Sequence, residues 1–222
     1  MKKELYLMMI AVLGSMGISN AQAQNPECMT NLSIYSEHVK VKNYDAAYTP
    51  WKMVYENCPA VNRANFSYGE RILKYKIKNS AGGEKDGFIQ DLLALYDNSL
   101  KYFPAKFSKA GVAIDKALLK YDNKMASDSE IYDILGSAFN DDRANFKNPK
   151  ALYLYFSSLV DLHGEGKKDL QEVFDVYDDV TGKIEEENKK LTEIVSNLLP
   201  KDSAKTITSK EKRRLKVATT NS

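Results

Sequence analysis

Apolar residues recur at intervals of three and four along almost the whole chain from residue 28 onward, and this spacing restricts the fold more than any other feature. Residues spaced in this way share one side of an α-helix, which packs that side against a neighbour. No stretch alternates apolar and polar residues well enough to indicate a β-strand. The pattern and its Gly and Pro breakers predict eight helices, over 28–40, 44–57, 64–79, 86–102, 105–121, 128–140, 149–163 and 168–199.

The last two of these helices have features beyond their apolar stripe. The seventh contains the segment 151–156, which is apolar almost all round, so we expect this helix to be the most buried. The eighth would extend about 48 Å at 1.5 Å per residue. Its segment 185–190 has no apolar residue, which favours a helix that leaves the body of the protein there, with water on most sides.

The first 23 residues have the pattern of a bacterial secretory signal peptide. Two lysines precede the apolar run 5–18, which is shorter than the ~20 residues that a membrane span needs. The Ala-Gln-Ala sequence at 21–23 suits signal peptidase and places the mature start near Gln24. The alternative is an uncleaved anchor. The sequence therefore predicts an exported protein, located in the periplasm, at the outer membrane or outside the cell, without a transmembrane span.

The charges of the mature part are balanced in number but unevenly distributed. Residues 24–200 carry 23 Lys or Arg against 27 Asp or Glu, whereas residues 201–222 carry seven against two. This balance gives no electrostatic argument for nucleic-acid binding. The basic run 210–216 is typical of a solvated tail, with binding to an anionic surface as the alternative. We therefore divide the chain into a signal peptide (1–23), a helical domain (24–200) and a basic polar tail or linker (201–222).

Cys28 and Cys58 are the only cysteines, and export would bring them into an oxidising compartment. They lie at the start of one predicted helix and the end of the next, and in an antiparallel hairpin those two ends are neighbours. A bridge would close a loop of about 30 residues and stabilise the fold by roughly 3.5 kcal/mol. The alternative is a metal site, for which His38 and His163 are the only histidines. We favour the disulfide and expect no metal and no cofactor.

Two helix pairs carry small and aromatic residues at the spacings of a known helical repeat. In such a repeat the small residue lets two helices approach, and the ring fills the gap above it. The first pair has these residues in its second helix and the loop after it: Ala47, Trp51, Val54 and Pro59. The second pair has them in helices six and seven: Tyr132, Leu135, Gly136, Phe139, Ala151 and Tyr155.

These two segments resemble tetratricopeptide repeats, and the whole chain resembles exported repeat proteins of Gram-negative bacteria. The resemblance implies an all-α fold of antiparallel helical hairpins that form a short right-handed solenoid, followed by the long C-terminal helix. Helix six carries the signature of a first repeat helix, although strict alternation would make it a second one. The array is therefore expected to be irregular.

No phosphate-binding loop, zinc-protease or serine-hydrolase motif, or EF-hand pattern occurs in the sequence, so we predict that the protein is not an enzyme. Stacked hairpins form an extended surface suited to binding a peptide or helix. The sequence thus favours a scaffold or adaptor that binds a protein partner in the cell envelope. The alternative is a protein that binds a small ligand or glycan through exposed aromatic rings. The candidate contact residues are Tyr35, Tyr48, Tyr68, Tyr75 and Tyr153.

Overall fold

The computed structural model describes residues 25–221, and within that range the chain is helical without a β-strand. The all-α prediction is confirmed for this part of the chain, while the predicted signal peptide lies outside it. A short 3-10 turn, Arg143–Asn145, follows the sixth helix. The α-helices are α1 (Pro26–Lys40), α2 (Tyr44–Asn57), α3 (Ala64–Asn79), α4 (Gly82–Tyr102), α5 (Lys109–Asp122), α6 (Asp128–Asp141), α7 (Pro149–Gly164), α8 (Leu170–Ser203) and α9 (Ser209–Asn221).

The chain divides into two compact units, and the division falls after Phe107. The range that we predicted as one helical domain therefore contains parts of both units. α5 begins at Lys109, four residues later than the sequence pattern predicted, because Ser108 caps it by accepting a hydrogen bond from the backbone N–H of Gly111 at 3.0 Å. The segment from Pro104 to Ser108 is thus the connection between the two units.

The first unit packs α1 on α2, α2 on α3, and α3 on α4. A disulfide joins Cys28 in the first turn of α1 to Cys58 directly after α2, with their Cα atoms 6.4 Å apart. This confirms the predicted pairing. Both cysteines are buried, so the disulfide joins the start of α1 to the end of α2 within the core of the unit.

Trp51 organises the centre of this unit. Its indole N–H donates a hydrogen bond to the backbone carbonyl of Asn65 at 2.8 Å, and its ring stacks on Tyr55 with the centroids 5.3 Å apart. The ring lies directly against Gly69 of α3, where a Cβ would come within 2.6 Å of the indole. The absence of a side chain at Gly69 is therefore what lets α2 and α3 approach.

The second unit has its core between α5, α6, α7 and the first half of α8. The buried side chains of this core include Ile114, Ile131, Leu135, Phe139, Phe146, Leu152, Tyr155, Leu159, Val176 and Val180. As predicted, α7 buries more residues than any other described helix. It buries seven residues, but Tyr153 is 67% exposed and Val160 is 41% exposed. The apolar circumference of α7 exceeds what its neighbours in the unit cover.

α8 is a single long helix that supports two neighbours in succession. Its inward-facing residues are spaced by three and four, from Val176 and Val180 through Lys183 to Leu198. α7 packs on the first half of α8, where Phe156 contacts Tyr177, and α9 packs on the second half, beside Leu191 and Ile194. Because the residues from 176 to 198 stay on nearly the same side of the helix, α7 and α9 lie on the same side of α8.

α9 occupies most of the region that we predicted as a polar tail, so that interpretation needs correction. Leu215 and Ala218 are buried on the side of α9 that faces α8. The backbone N–H and hydroxyl of Thr208 donate to the carboxylate of Glu211 at 2.9 and 2.8 Å, and the N–H of Glu211 donates to the hydroxyl of Thr208 at 3.3 Å. This arrangement is a capping box, and it starts a helix that the high charge of the segment conceals.

Candidate interaction surface

The surface that stands out in the second unit is built from the uncovered sides of α7 and α8. On α7, Tyr153, Phe156 and Val160 are separated by three and four residues and therefore share one side of the helix. Tyr153 and Val160 are exposed and Phe156 is half-buried. Because Leu152, Tyr155 and Leu159 already fill the core, this second apolar stripe faces water.

The first half of α8 has two apolar stripes as well. One, with Val176 and Val180, packs on the core. The other is exposed, with Phe174 at 56% and Tyr177 at 52% exposure. Leu170 and Ile184 extend it by one turn at one end and two turns at the other.

A contact between aromatic rings joins the two exposed stripes. The ring centroids of Phe156 and Tyr177 lie 5.8 Å apart, at an angle of 59° between the ring planes. Large exposed apolar patches on a soluble protein mark interaction sites, whereas single exposed residues do not. We call the joined surface the α7–α8 face and define it by Tyr153, Phe156, Val160, Leu170, Phe174, Tyr177 and Ile184.

One margin of the α7–α8 face is acidic. Residues 169–187 contain eight Asp or Glu and a single Lys, the completely buried Lys183. Four of the eight are in ion pairs: Glu172, Asp179, Glu186 and Glu187. Asp178 and Glu185 each follow an exposed apolar residue by one position, so both lie on the flank of the stripe that points away from α7. Neither forms an ion pair with any residue between 25 and 221. The face therefore presents unpaired negative charge beside exposed rings.

A network of hydrogen bonds fixes the start of α8. Glu172 accepts hydrogen bonds from the ammonium of Lys168 and the hydroxyl of Tyr132, both at 2.7 Å. The hydrogen bond from Lys168, and to a smaller extent the one from Tyr132, lowers the pKa of Glu172. Burial of the Tyr132 hydroxyl raises the pKa of that phenol. The Nδ1 atom of His163 lies 2.8 Å from the carbonyl oxygen of Lys168. These contacts tie α8 to α6 and α7, so the α7–α8 face has a rigid base.

The five tyrosines that we predicted as contact residues are divided between the two units, with four in the first unit and Tyr153 in the second. Tyr35 is completely buried, with its hydroxyl 3.5 Å from the side-chain oxygen of Asn65, and Tyr68 packs edge-on against it. Tyr48 and Tyr75 are half-buried in the first unit. Of the five, only Tyr153 belongs to the α7–α8 face.

Tyr75 belongs to a small polar cluster on the first unit. Its hydroxyl donates to Asp45 at 2.9 Å, and Lys76 pairs with the same carboxylate at 2.5 Å. The hydrogen bonds from Lys76 and then Tyr75 lower the pKa of Asp45. Each of these polar groups thus has its partner within the cluster, so the cluster connects α2 to α3 and offers little free charge to a ligand.

The residues of the two repeat-like segments are core residues. All ten are buried, which agrees with a packing role and leaves them out of contact with a ligand. In the second unit, a Cβ at Gly136 would lie 3.1 Å from the ring of Tyr155. This is the same close approach of a glycine to an aromatic ring that Trp51 and Gly69 show in the first unit.

Phe174 and Tyr177 are not among the contact residues predicted from the sequence, although their spacing carries a signal. Leu170, Phe174, Tyr177 and Ile184 repeat at intervals of four, three and seven, and this repeat accompanies the separate stripe of Val176 and Val180. A helix with two apolar stripes has one more than a single neighbour can cover. The second stripe could therefore have been recognised from the spacing alone.

Within residues 25–221, no helix combines the length and apolar character needed to cross a membrane. The same residues contain no group of three or more His, Cys, Asp and Glu side chains arranged to hold a metal ion. No protein-family model, curated protein or solved structure matches the chain. The α7–α8 face is therefore the feature of the described residues that points to a function.

Proposed function

We propose that this protein is a non-catalytic scaffold or adaptor of the bacterial cell envelope that binds a partner protein through the α7–α8 face. The observation that carries the proposal is the exposure of Phe174 and Tyr177 beside Asp178 and Glu185 on one side of α8. Exposed aromatic residues in a contiguous patch are the usual anchors of protein interfaces. A non-catalytic role agrees with the lack of a recognisable catalytic motif in the sequence.

The shape and charge of the face favour a helical partner segment. Two antiparallel helices with their exposed stripes side by side form a shallow track, about 20 Å long between Leu170 and Ile184 at 1.5 Å per residue. An amphipathic helix laid on such a track buries its apolar residues against the rings. Since the margin is acidic, the complementary segment carries Lys or Arg beside its apolar residues.

The proposal includes a tetratricopeptide-like arrangement of the hairpins. Two features support it: consecutive helices pack as neighbours within each unit, and a glycine lies under an aromatic ring in both units, as Gly69 under Trp51 and Gly136 under Tyr155. The disulfide is compatible with the oxidising envelope that the signal sequence predicts. A repeat-like body that presents one uncovered face is suited to scaffolding.

Capture of partners from envelope extracts tests the proposed function. The chain without its first 23 residues is immobilised as the wild type and as the double variant Phe174→Ser, Tyr177→Ser. We expect the variant to retain at most about one-tenth of the protein captured by the wild type, since central aromatic anchors each contribute more than about 1 kcal/mol. Tyr121→Ser, which alters an exposed ring on α5 outside the face, is the matched control and should capture as the wild type does.

Two results would contradict this proposal. The first is equal capture by the wild type and the double variant when circular dichroism shows both to be folded. The second is a glycan-array signal that depends on Phe174 and Tyr177 while no protein is captured. That result would favour the alternative of a glycan-binding protein, because sugars also stack on exposed rings.

A further inference from the structure

The outward side of α9 is basic. α9 carries five Lys or Arg and one acid, Glu211. Leu215 and Ala218 face α8, so Arg213 lies on the opposite side of α9, with Lys210 and Arg214 on one flank and Lys216 on the other. None of these four cations forms an ion pair with a residue in the described part of the chain. Val217, between them on the outer side, is 58% exposed.

Apolar surface accompanies these cations. An open cleft of about 340 Å³ runs between α8 and α9, and Arg213 and Arg214 form part of its wall. Leu191, Ile194 and Val217 supply apolar atoms to its lining. We call this surface of α9 the α9 face and define it by Lys210, Arg213, Arg214, Lys216 and Val217.

We propose that the α9 face of one chain binds the α7–α8 face of a second copy of the same chain, so that the protein self-associates head to tail. This inference depends on the proposed function, because it uses the α7–α8 face and names its occupant. These two surfaces of the second unit are complementary in chemistry. The first offers exposed rings and unpaired carboxylates, and the second offers unpaired guanidinium and ammonium groups with an exposed valine.

The chemistry of the two surfaces matches in detail. A guanidinium group binds carboxylates and also stacks on an aromatic ring, so Arg213 and Arg214 can satisfy Asp178 and cover Tyr177 or Phe174 together. The aliphatic parts of lysine and arginine side chains can cover the remaining apolar surface. A single contact of this type contributes little to the free energy of binding while it is exposed to water. Several such contacts contribute together once water is excluded from the interface.

A chain cannot satisfy this pairing within itself. α9 is held on the second half of α8 by the burial of Leu198, Leu215 and Ala218, whereas the α7–α8 face lies on the first half and points away from the core. Both faces are therefore available at the same time. Two different surfaces that bind each other make a heterologous interface, which produces closed rings or open chains of molecules in place of a symmetric dimer.

Light scattering coupled to size-exclusion chromatography, at several protein concentrations and at two salt concentrations, tests the inference. For the chain without its first 23 residues we expect a molar mass that rises beyond two copies with concentration. The association should weaken at least about tenfold between 50 and 500 mM NaCl, because salt screens exposed charges. The variants Arg213→Glu, Arg214→Glu and Asp178→Lys, Glu185→Lys should each be monomeric under the same conditions.

Mixing the variants gives the decisive arms of the experiment. In an equimolar mixture of the two double variants, the two wild-type faces are complementary to each other and so are the two reversed faces. The mixture should therefore associate beyond two chains, although neither variant does so alone. The fourfold variant, in which both faces are reversed, should self-associate again. A matched control, Lys124→Glu, changes an exposed lysine at the turn after α5 and should associate as the wild type does.

The outcomes separate this inference from the proposed function. A folded wild-type chain that stays monomeric at every concentration, or a fourfold variant that stays monomeric, overturns head-to-tail association. Suppose that head-to-tail association is overturned but the Phe174→Ser, Tyr177→Ser variant captures less envelope protein than the wild type does. The α7–α8 face then binds a foreign partner, and the proposed function stands. If the face variants change neither self-association nor capture, both are overturned.

Discussion

The indole ring of Trp51 lies so close to the backbone of Gly69 that a Cβ atom at Gly69 would come within 2.6 Å of the ring. The ring cannot easily retreat, because its N–H is bonded to the carbonyl of Asn65 and its face is stacked on Tyr55. Glycine at position 69 is therefore a requirement of helix packing. It does not serve an unusual backbone conformation.

Gly69→Ala is expected to lower the free energy of unfolding by about 1–3 kcal/mol, the usual effect of forcing extra volume into a packed core. The matched control is Gly87→Ala on α4, where a Cβ would meet no atom within 4 Å. That change should raise the stability by about 0.5–1 kcal/mol, because alanine favours helix. Urea denaturation of both variants measures the two effects. Equal behaviour of the two substitutions would contradict the steric explanation.

Removal of the disulfide by the double substitution Cys28→Ser, Cys58→Ser should lower the free energy of unfolding by about 3.5 kcal/mol. The reason is that the bridge closes a loop of about 30 residues in the unfolded chain. Thermal denaturation of the wild type with and without a reductant provides the comparison. The reductant should have no effect on the double variant. If it destabilises the variant and the wild type alike, it acts on something other than the bridge.

The hydrogen bond from Lys201, followed by those from Thr208, lowers the pKa of Glu211 to about 2. A carboxyl group whose pKa is lower in the folded state stabilises that state fully above its ordinary pKa near 4.5. The contribution is lost as the pH falls toward 2. We expect α9 to loosen on α8 in this pH range, and carbon NMR of the Glu211 carboxyl group should record it.

Glu211→Gln removes the charge of this side chain and keeps an oxygen for the capping box. In the wild type, titration of Glu211 makes the helicity of α9 depend on pH between 4.5 and 2. The variant should not show this dependence. Glu185→Gln, at an exposed carboxylate of α8 without an ion pair in residues 25–221, should leave the α9 signals as they are in the wild type. A carboxyl titration of Glu211 near pH 4.5 would show that the capping box does not form.

Lys183 is completely buried, and its ammonium group lies 2.7 Å from a carboxylate oxygen of Glu187. Glu187→Ala should lower the free energy of unfolding by about 3 kcal/mol, because it removes the closest partner of a buried charge. Lys183→Met should leave stability unchanged or higher, since Glu187 retains Lys190 at 2.9 Å. Glu186→Ala is the control at a more exposed carboxylate and should cost less than about 1 kcal/mol.

Chemical denaturation measures the free energy of unfolding of these three variants and ranks them by it. We expect Lys183→Met to be the most stable of the three, Glu186→Ala to be intermediate and Glu187→Ala to be the least stable. A large loss in Lys183→Met would mean that the aliphatic packing of a methionine cannot replace the lysine. The ion pair would then be essential to the position of α8.

The sequence predicted the helical class, the disulfide and most helix boundaries, because each depends on local signals such as apolar spacing, caps and breakers. It did not predict α9, since a dense run of charges outweighs the two buried residues Leu215 and Ala218 in any count of apolar positions. The capping box of Thr208 and Glu211 was the local signal for that helix.

The candidate surface was harder to predict than the fold. Spacing shows that a tyrosine lies on an apolar stripe, but it does not show whether another helix covers that stripe. Tyr35 and Tyr153 each follow an apolar residue within a helix, yet the first is completely buried and the second is 67% exposed. The difference arises from the packing of helices within each unit, which depends on residues distant in sequence.

The long helix α8 carries both of its neighbours on one side, and only the short charged segment 185–190 separates them. One residue inserted there would rotate everything that follows by about 100° and advance it by about 1.5 Å. Seven inserted residues would bring the second half of α8 back to within about 20° of its present orientation. They would also move α9 about 10 Å further along the axis of α8. The residue count of this segment therefore sets the angle between the acidic and the basic surface, and with it the twist and spacing of any fibre or ring that successive copies build.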